Sequence, residues 1–168
     1  MDEVAADGIE LPFSDAGQDW SAAWHPPPQP PPGIPHGATA VCLVDDQVVL
    51  ISDDSRLWGL PGGRPEPGER PEDTLRREVE EEACATVTAC RLLGFTRGTC
   101  LRGPEQGLVL VRWIWRAEVA LDPWQPRFEI THRRLVPAAE ALHTMIGHPE
   151  FPAGLRPLYR RIFTEAGL

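Results

Sequence analysis

The sequence predicts an α+β domain in which a mixed β-sheet is sandwiched between α-helices, preceded by a proline-rich N-terminal arm. Three observations predict it. Short β-rich runs interleave with amphipathic helical stretches, without the regular repeat of a parallel βαβ fold. With 168 residues, 42% of them hydrophobic, the chain can bury one sizeable core and is short for two. The stretch "HPPPQPPPGIP", His25 to Pro35, separates an acidic N-terminal segment from a strand-rich remainder. The expected division is therefore an arm over residues 1–35 and a domain over 36–168.

In the arm, the prolines favour an extended polyproline II path without ladder hydrogen bonds. A solvated tail or a proline-rich ligand for a partner domain would share that composition. However, Ile9, Leu11, Phe13, Trp20 and Trp24 are more apolar than a solvated tail needs, so docking on this domain or on a second copy, as a homodimer with exchanged arms, is expected.

From His36 the pattern turns to strands. "ATAVCLV" and "QVVLIS" flank Asp45-Asp46, a hairpin signal without the usual glycine. "ACRLLGFTR" and "LVLVRWIWRAEVAL" read as further strands, the second alternating Val111, Trp113 and Trp115 against Arg112 and Arg116. Helical periodicity covers Pro71–Ala83, Pro137–Met145 and the stretch from Leu155 to Glu165. The first of these is the best signalled: Pro71 suits the first turn, Glu72 and Asp73 complement the positive helix end, and "TLRREVEEEA" holds strong helix formers.

At 100° per residue, Leu75, Val79 and Ala83 form an apolar stripe on this helix, and Glu78, Glu81 and Glu82 fan out beside it. Like charges at that spacing repel by roughly 0.2–0.5 kcal/mol per pair, so solvent screens them or a cation resolves the conflict. A solvated acidic face is the ordinary meaning of such a run. The preceding "WGLPGGR", Trp58 to Arg64, changes the balance, because Gly62 and Gly63 permit backbone angles closed to other residues and leave room for a ligand near the main chain. Arg64 is placed to touch a phosphate and Trp58 to stack on a base; both residue types are commoner in structural roles. Glu69 and Arg77 are positioned to pair across the loop–helix junction.

At these residues the sequence resembles the Nudix hydrolase superfamily, of which MutT is a member. The family box, G-x(5)-E-x(7)-R-E-U-x-E-E-x-G-U with U apolar, falls on Gly63, Glu69, Arg77, Glu78, Val79, Glu81 and Glu82. Cys84 stands where the box has glycine, and Ala85 is a small substitute for its last apolar residue. A cysteine in a left-handed helix exit carries strain, so the helix is expected to end differently or to run one turn further. The resemblance implies a Nudix fold from about His36 onward. It also implies hydrolysis of a nucleoside diphosphate linked to another moiety, with Mg²⁺ or Mn²⁺ held by Glu78, Glu81 and Glu82. Glu129, in "RFEITHRRLVP", stands where relatives often carry a further glutamate, as distal ligand or base. Relatives that hydrolyse ADP-sugars have a proline past the box where Cys100 and Leu101 stand here, and those acting on diadenosine polyphosphates have a tyrosine where Arg102 stands. A nucleoside triphosphate or modified nucleotide is the expected substrate. The alternative is a catalytically silent domain that senses a nucleotide or holds a partner.

Composition agrees with a small anionic ligand rather than a polymer. A net charge of −9 offers no basic surface for counterion release, which argues against bulk nucleic acid. Cations between protein and substrate would reconcile an acidic chain with an acidic ligand. The longest apolar run is interrupted by Arg112 and is too short to cross a bilayer. Cys42, Cys84, Cys90 and Cys100 lack C-x-x-C spacing and the N-terminus lacks an apolar leader, so a cytoplasmic protein with reduced thiols is expected. His132, His143 and His148 match no zinc pattern.

Overall fold

The computed structural model describes residues 2–168. Its elements are β1 (Leu11–Asp15), β2 (Gln18–His25), β3 (Ile34–Val44), β4 (Gln47–Ser52), β5 (Gly62–Gly63), α1 (Pro71–Ala83), β6 (Ala85–Arg102), β7 (Val109–Leu121), β8 (His132–Pro137), α2 (Ala138–Ile146) and α3 (Arg156–Glu165). The strands form one sheet in the order β1-β2-β6-β7-β3-β4-β8, with β5 paired to β3. Only the β3–β7 pair is parallel among these strands, so the sheet is mixed.

Both faces of the sheet are covered, which explains why its central strands read as nearly continuous apolar runs. Along β3 and β4 the side chains alternate between two cores. Val41, Leu43, Val48 and Leu50 face α2 and α3, packing with Met145, Leu158, Ile162 and Phe163. Ala40, Cys42, Val49 and Ile51 face α1, packing with Leu75, Val79 and Ala83. The apolar stripe of α1 is thus buried, and each of Leu75 and Val79 contributes roughly 1.5–3 kcal/mol by leaving water. Deep burial pushes the Cys42 thiol up to about 12, which keeps it protonated and inert. The β3–β4 hairpin turns through Asp45 at φ 54°, a conformation aspartate tolerates better than most residues.

The expected arm differs most from the reading of the sequence. Residues 11–25 form two strands that continue the sheet, β2 pairing antiparallel with β6 from Asp19↔Arg102 to His25↔Phe95. Trp24 is fully buried in the core on the α2/α3 side. Its ring lies where a Cβ on Gly94 would be, 2.4 Å from Trp24 Cζ2, so only glycine fits opposite it in β6. The proline-rich stretch crosses from β2 to β3, and proline's lack of an N–H is harmless outside a ladder. A second difference is β8. "HRRLVP", for which the sequence signalled no strand, is an edge strand on β4, with Val136 buried and its arginines half-buried or exposed. No helix among the described residues is long and apolar enough to cross a membrane.

Candidate active site

Helix α1 and the loop before it hold the acidic cluster, and one arginine organises both. Pro71 opens the helix, and the Asp73 carboxylate accepts the Arg70 backbone N–H and guanidinium, closing its first turn. Arg77 Nε donates to Glu69 Oε2 at 2.7 Å and Nη2 donates to Glu69 Oε1 at 3.0 Å, a bidentate fork. The same guanidinium donates to Glu78 Oε1 at 2.8 Å, Glu81 Oε2 at 3.2 Å and the Arg64 carbonyl at 2.8 Å. Glu69 also accepts the Glu66 N–H and the Thr74 hydroxyl, so loop and helix are locked together. The fork from Arg77 holds the Glu69 carboxyl down at about 2, and Glu69 in turn raises the Arg77 pKa.

The two glycines act by close approach rather than by unusual torsion angles, which corrects the expectation from sequence. Gly62 and Gly63 pair with Thr39 and Ala38 of β3. A Cβ on Gly63 would sit 2.4 Å from the Glu78 carboxyl carbon, and one on Gly62 would sit 2.4 Å from the Ala38 carbonyl oxygen. The space that side chains would fill belongs to the Glu78 carboxylate and to the β3 backbone. Gly62 N–H donates to Glu82 Oε1 at 2.9 Å, aiming that carboxylate at the loop.

Burial pushes the Glu82 carboxyl up to about 7, with Glu78 and Glu129 adding repulsion and the Gly62 N–H opposing it. Burial also raises Glu78, against the pull of Arg77. Glu78, Glu81, Glu82 and Glu129 line a single cavity of about 270 Å³, with Arg127 and Phe128 at its rim. Glu129 is exposed, on the loop between β7 and β8. Trp58 lines a neighbouring cavity of about 430 Å³ that reaches Gly62 and Glu82. Its ring meets His132 edge-on and lies under Arg134. The Arg64 side chain is exposed and lines a third cavity, of about 580 Å³.

The acidic donors suit a hard divalent cation: they are all carboxylate oxygens, three lie on one helix edge, and burial leaves Glu82 poorly stabilised as an anion. Arg77 engages Glu78 and Glu81, and among the described residues no three acidic, His or Cys groups stand close enough together to hold a metal ion as they are placed.

The helix exit departs from expectation. Helix α1 ends at Ala83, and Cys84 itself adopts the left-handed conformation at φ 48°, ψ 55°. Arg133 compensates: its Nη1 donates to the carbonyls of Ala83 and Cys84 at 2.9 Å and of Asp122 at 3.1 Å. The Cys84 thiol donates to the Gln125 carbonyl at 3.3 Å. One guanidinium on β8 therefore ties the end of the glutamate helix to the loop bearing Glu129. Sequence reasoning missed this, because its only trace is an arginine close after Glu129 in "RFEITHRRLVP", with nothing local to link it to the end of α1. It also passed over Arg112, which was visible as a charge interrupting an apolar run.

Comparison with known proteins agrees with this architecture. The NUDIX domain family model matches residues 34–162. A Mycobacterium tuberculosis protein named as a candidate 8-oxo-dGTP diphosphatase is 32% identical over 123 residues, 60% of this chain and 56% of that protein. The nucleoside triphosphatase NudI of Escherichia fergusonii is 49% identical over 47 residues, 27% of this chain and 30% of that protein. The chain thus spans about half the length of the first of these relatives and less of the second. Among solved structures, a mutant of the Bacillus subtilis pyrophosphohydrolase BsRppH superposes with a TM-score of 0.68 at 25% identity, covering 93% of this chain and 97% of that one.

Proposed function

The chain belongs to the Nudix family, and on that premise we propose that it is a pyrophosphohydrolase acting on a nucleoside triphosphate or a modified nucleotide, dependent on Mg²⁺ or Mn²⁺. The observation that carries this reading is the cavity where Glu78, Glu81, Glu82 and Glu129 meet beside Gly62 and Gly63. The names of the relatives, a candidate 8-oxo-dGTP diphosphatase and a nucleoside triphosphatase, support the substrate class.

Glu78, Glu81 and Glu82 would hold the cation. Bound there, it supplies positive charge to a pyrophosphate and acidifies coordinated water. The chain's own residues do the positioning. Arg77 fixes Glu78 and Glu81 from one side, and the Gly62 N–H fixes Glu82 from the other. Glu69 anchors Arg77 in turn, so the loop and the helix cannot shift independently. Glu129, across the cavity and outside the set that would hold the cation, is the carboxylate suited to take a proton from attacking water. Trp58 and Arg64 border the neighbouring cavities and are suited to contact the base and a phosphate.

The test is a substrate panel of nucleoside triphosphates, oxidised nucleotides, dinucleotides and nucleotide sugars, with and without Mg²⁺ or Mn²⁺. Turnover in ¹⁸O-labelled water should place label in a phosphate-bearing product. Glu82→Gln should lower kcat by about 10²–10⁴. Glu129→Gln should cut kcat within that range if Glu129 is the base, and only a few-fold otherwise. A folded protein with no turnover across the panel would refute the hydrolase and leave the nucleotide-sensing reading.

A further inference from the structure

Strand β7 places one charged side chain, Arg112, beside the acidic edge without pairing it to a carboxylate. Its Nη1 donates to Thr39 Oγ1 at 3.0 Å, and its Nη2 approaches His36 Nδ1 at 3.3 Å and the His36 carbonyl at 3.4 Å. The His36 pKa is held down, by burial and then by Arg112 and Arg64, so the ring is neutral and its Nδ1 accepts. None of the ion pairs among the described residues includes Arg112. The carboxylates whose charge it senses, Glu78 and Glu82, are bonded instead to Arg77 and to the Gly62 N–H. Arginine carries five N–H donors, and these contacts leave Nε–H and the second Nη1 hydrogen without a protein acceptor.

A half-buried guanidinium with no anion partner is an unfavourable arrangement for folding alone. Here it faces the cavity of about 580 Å³, shared with Arg64 and His36 and walled by Phe13, Trp20 and Tyr159. Phe13 and Tyr159 also line the cavity of about 430 Å³ that reaches Glu82, so the two spaces adjoin along the acidic edge. Two carboxylates border the large cavity. Glu105 is engaged by Gln18 Nε2 at 3.1 Å, and Asp15 lies exposed at the mouth.

We propose that Arg112 binds a phosphate of a nucleoside polyphosphate lodged in this cavity, with Phe13 and Trp20 of the N-terminal strands forming the wall against which the rest of the ligand packs. The ligand class rests on the hydrolase reading above. The guanidinium is charged and held by Thr39 and His36, so its two free N–H groups, on different edges of the plane, offer pre-oriented charge-assisted hydrogen bonds to phosphate oxygens. The glutamates would engage the same polyphosphate from the other side, through the cation. Phe13 and Trp20 lie outside the residues matched by the family model.

The experiment separates binding from turnover. Inorganic tripolyphosphate is titrated into the metal-free full chain at low ionic strength by calorimetry, for the parent, Arg112→Gln and Arg112→Lys. The parent should bind, Arg112→Gln should bind at least about tenfold more weakly, and Arg112→Lys should fall between them. With Mg²⁺, Arg112→Gln should raise KM for a nucleoside triphosphate about tenfold while kcat changes less. A parent that binds no tripolyphosphate overturns the proposal. So does an Arg112→Gln protein with parental melting temperature and parental affinity. If Arg112→Gln does not fold, the lysine variant decides: undiminished tripolyphosphate affinity there refutes the guanidinium's role. An inactive parent that still shows Arg112-dependent binding refutes the hydrolase and leaves the phosphate site standing.

Discussion

Replacing Glu82 by glutamine should stabilise the metal-free protein at pH 8 and leave it nearly unchanged at pH 5. Burial lifts this carboxyl from 4.5 to about 7. A raised folded pKa means that the fold favours the protonated form. That contribution is complete below about pH 4.5, is lost as the pH rises through about 7, and is gone at pH 8. At about 1.4 kcal/mol per pKa unit, the interval from 4.5 to about 7 corresponds to about 3 kcal/mol. Glutamine keeps a carbonyl oxygen for the Gly62 N–H and carries no charge to desolvate, so the variant avoids the loss. In a chain of this size the advantage at pH 8 is roughly 6–12 °C in melting temperature. The assay is urea or thermal unfolding of both proteins in chelator at pH 5, 6, 7 and 8. Glu78, raised in the same direction, is present in both and largely cancels in the difference. Adding Mg²⁺ at pH 8 should reverse the order, because only the parent offers the full carboxylate set. A parent–variant difference that stays constant from pH 5 to pH 8 would refute the buried-carboxylate argument.

Gly63→Ala should abolish most activity, by about 10²-fold or more, because its Cβ would stand 2.4 Å from the Glu78 carboxyl carbon; steady-state kinetics on a folded sample checks this, and near-parental kcat would contradict the packing. Arg133→Ala should cost about 2–3 kcal/mol in urea unfolding, since three carbonyls at the α1 exit and the following loop lose their shared donor. A chain beginning at His36 should fail to fold cooperatively, because it lacks β2 and the buried Trp24; a sharp melt of the shortened chain would return residues 1–35 to the status of an arm.

What could be read from the sequence follows the range of the interactions involved. The start and body of helix α1 were legible because proline, first-turn acids and a three-residue apolar stripe all act within the helix. The Glu69–Arg77 fork was anticipated because its partners are eight residues apart on a loop–helix junction. The N-terminal strands were not anticipated. Their ladder partner, β6, lies some eighty residues away, and the prolines of 26–32 suggested an extended tether. β8 was hidden for a related reason: as an edge strand it needs few apolar residues, and "HRRLVP" carries a polar pattern. Cys84 was flagged as a departure, but its consequence depended on Arg133, whose role exists only once β8 lies beside the helix exit.

The acidic net charge and the proposed anionic ligand are reconciled by how the fold separates opposite charges. Arg112 reaches Thr39, Thr39 is the ladder partner of Gly62, and the Gly62 N–H holds Glu82. The cation and the carboxylate are thus linked through a hydroxyl and backbone groups. A direct Arg112–Glu82 bridge would have relieved both desolvation penalties, and each group would then have spent its hydrogen bonds on the other. Arg77 takes the opposite course, pairing with Glu69, Glu78 and Glu81 at the helix edge and fixing their positions. Because Gly62 and Gly63 leave the space beside them to the Glu78 carboxylate and the β3 backbone, β5 lies between the Arg112 guanidinium of β7 and the carboxylates of α1, which line neighbouring cavities. In the proposed reaction a polyphosphate with its cation would lie between them and complement both.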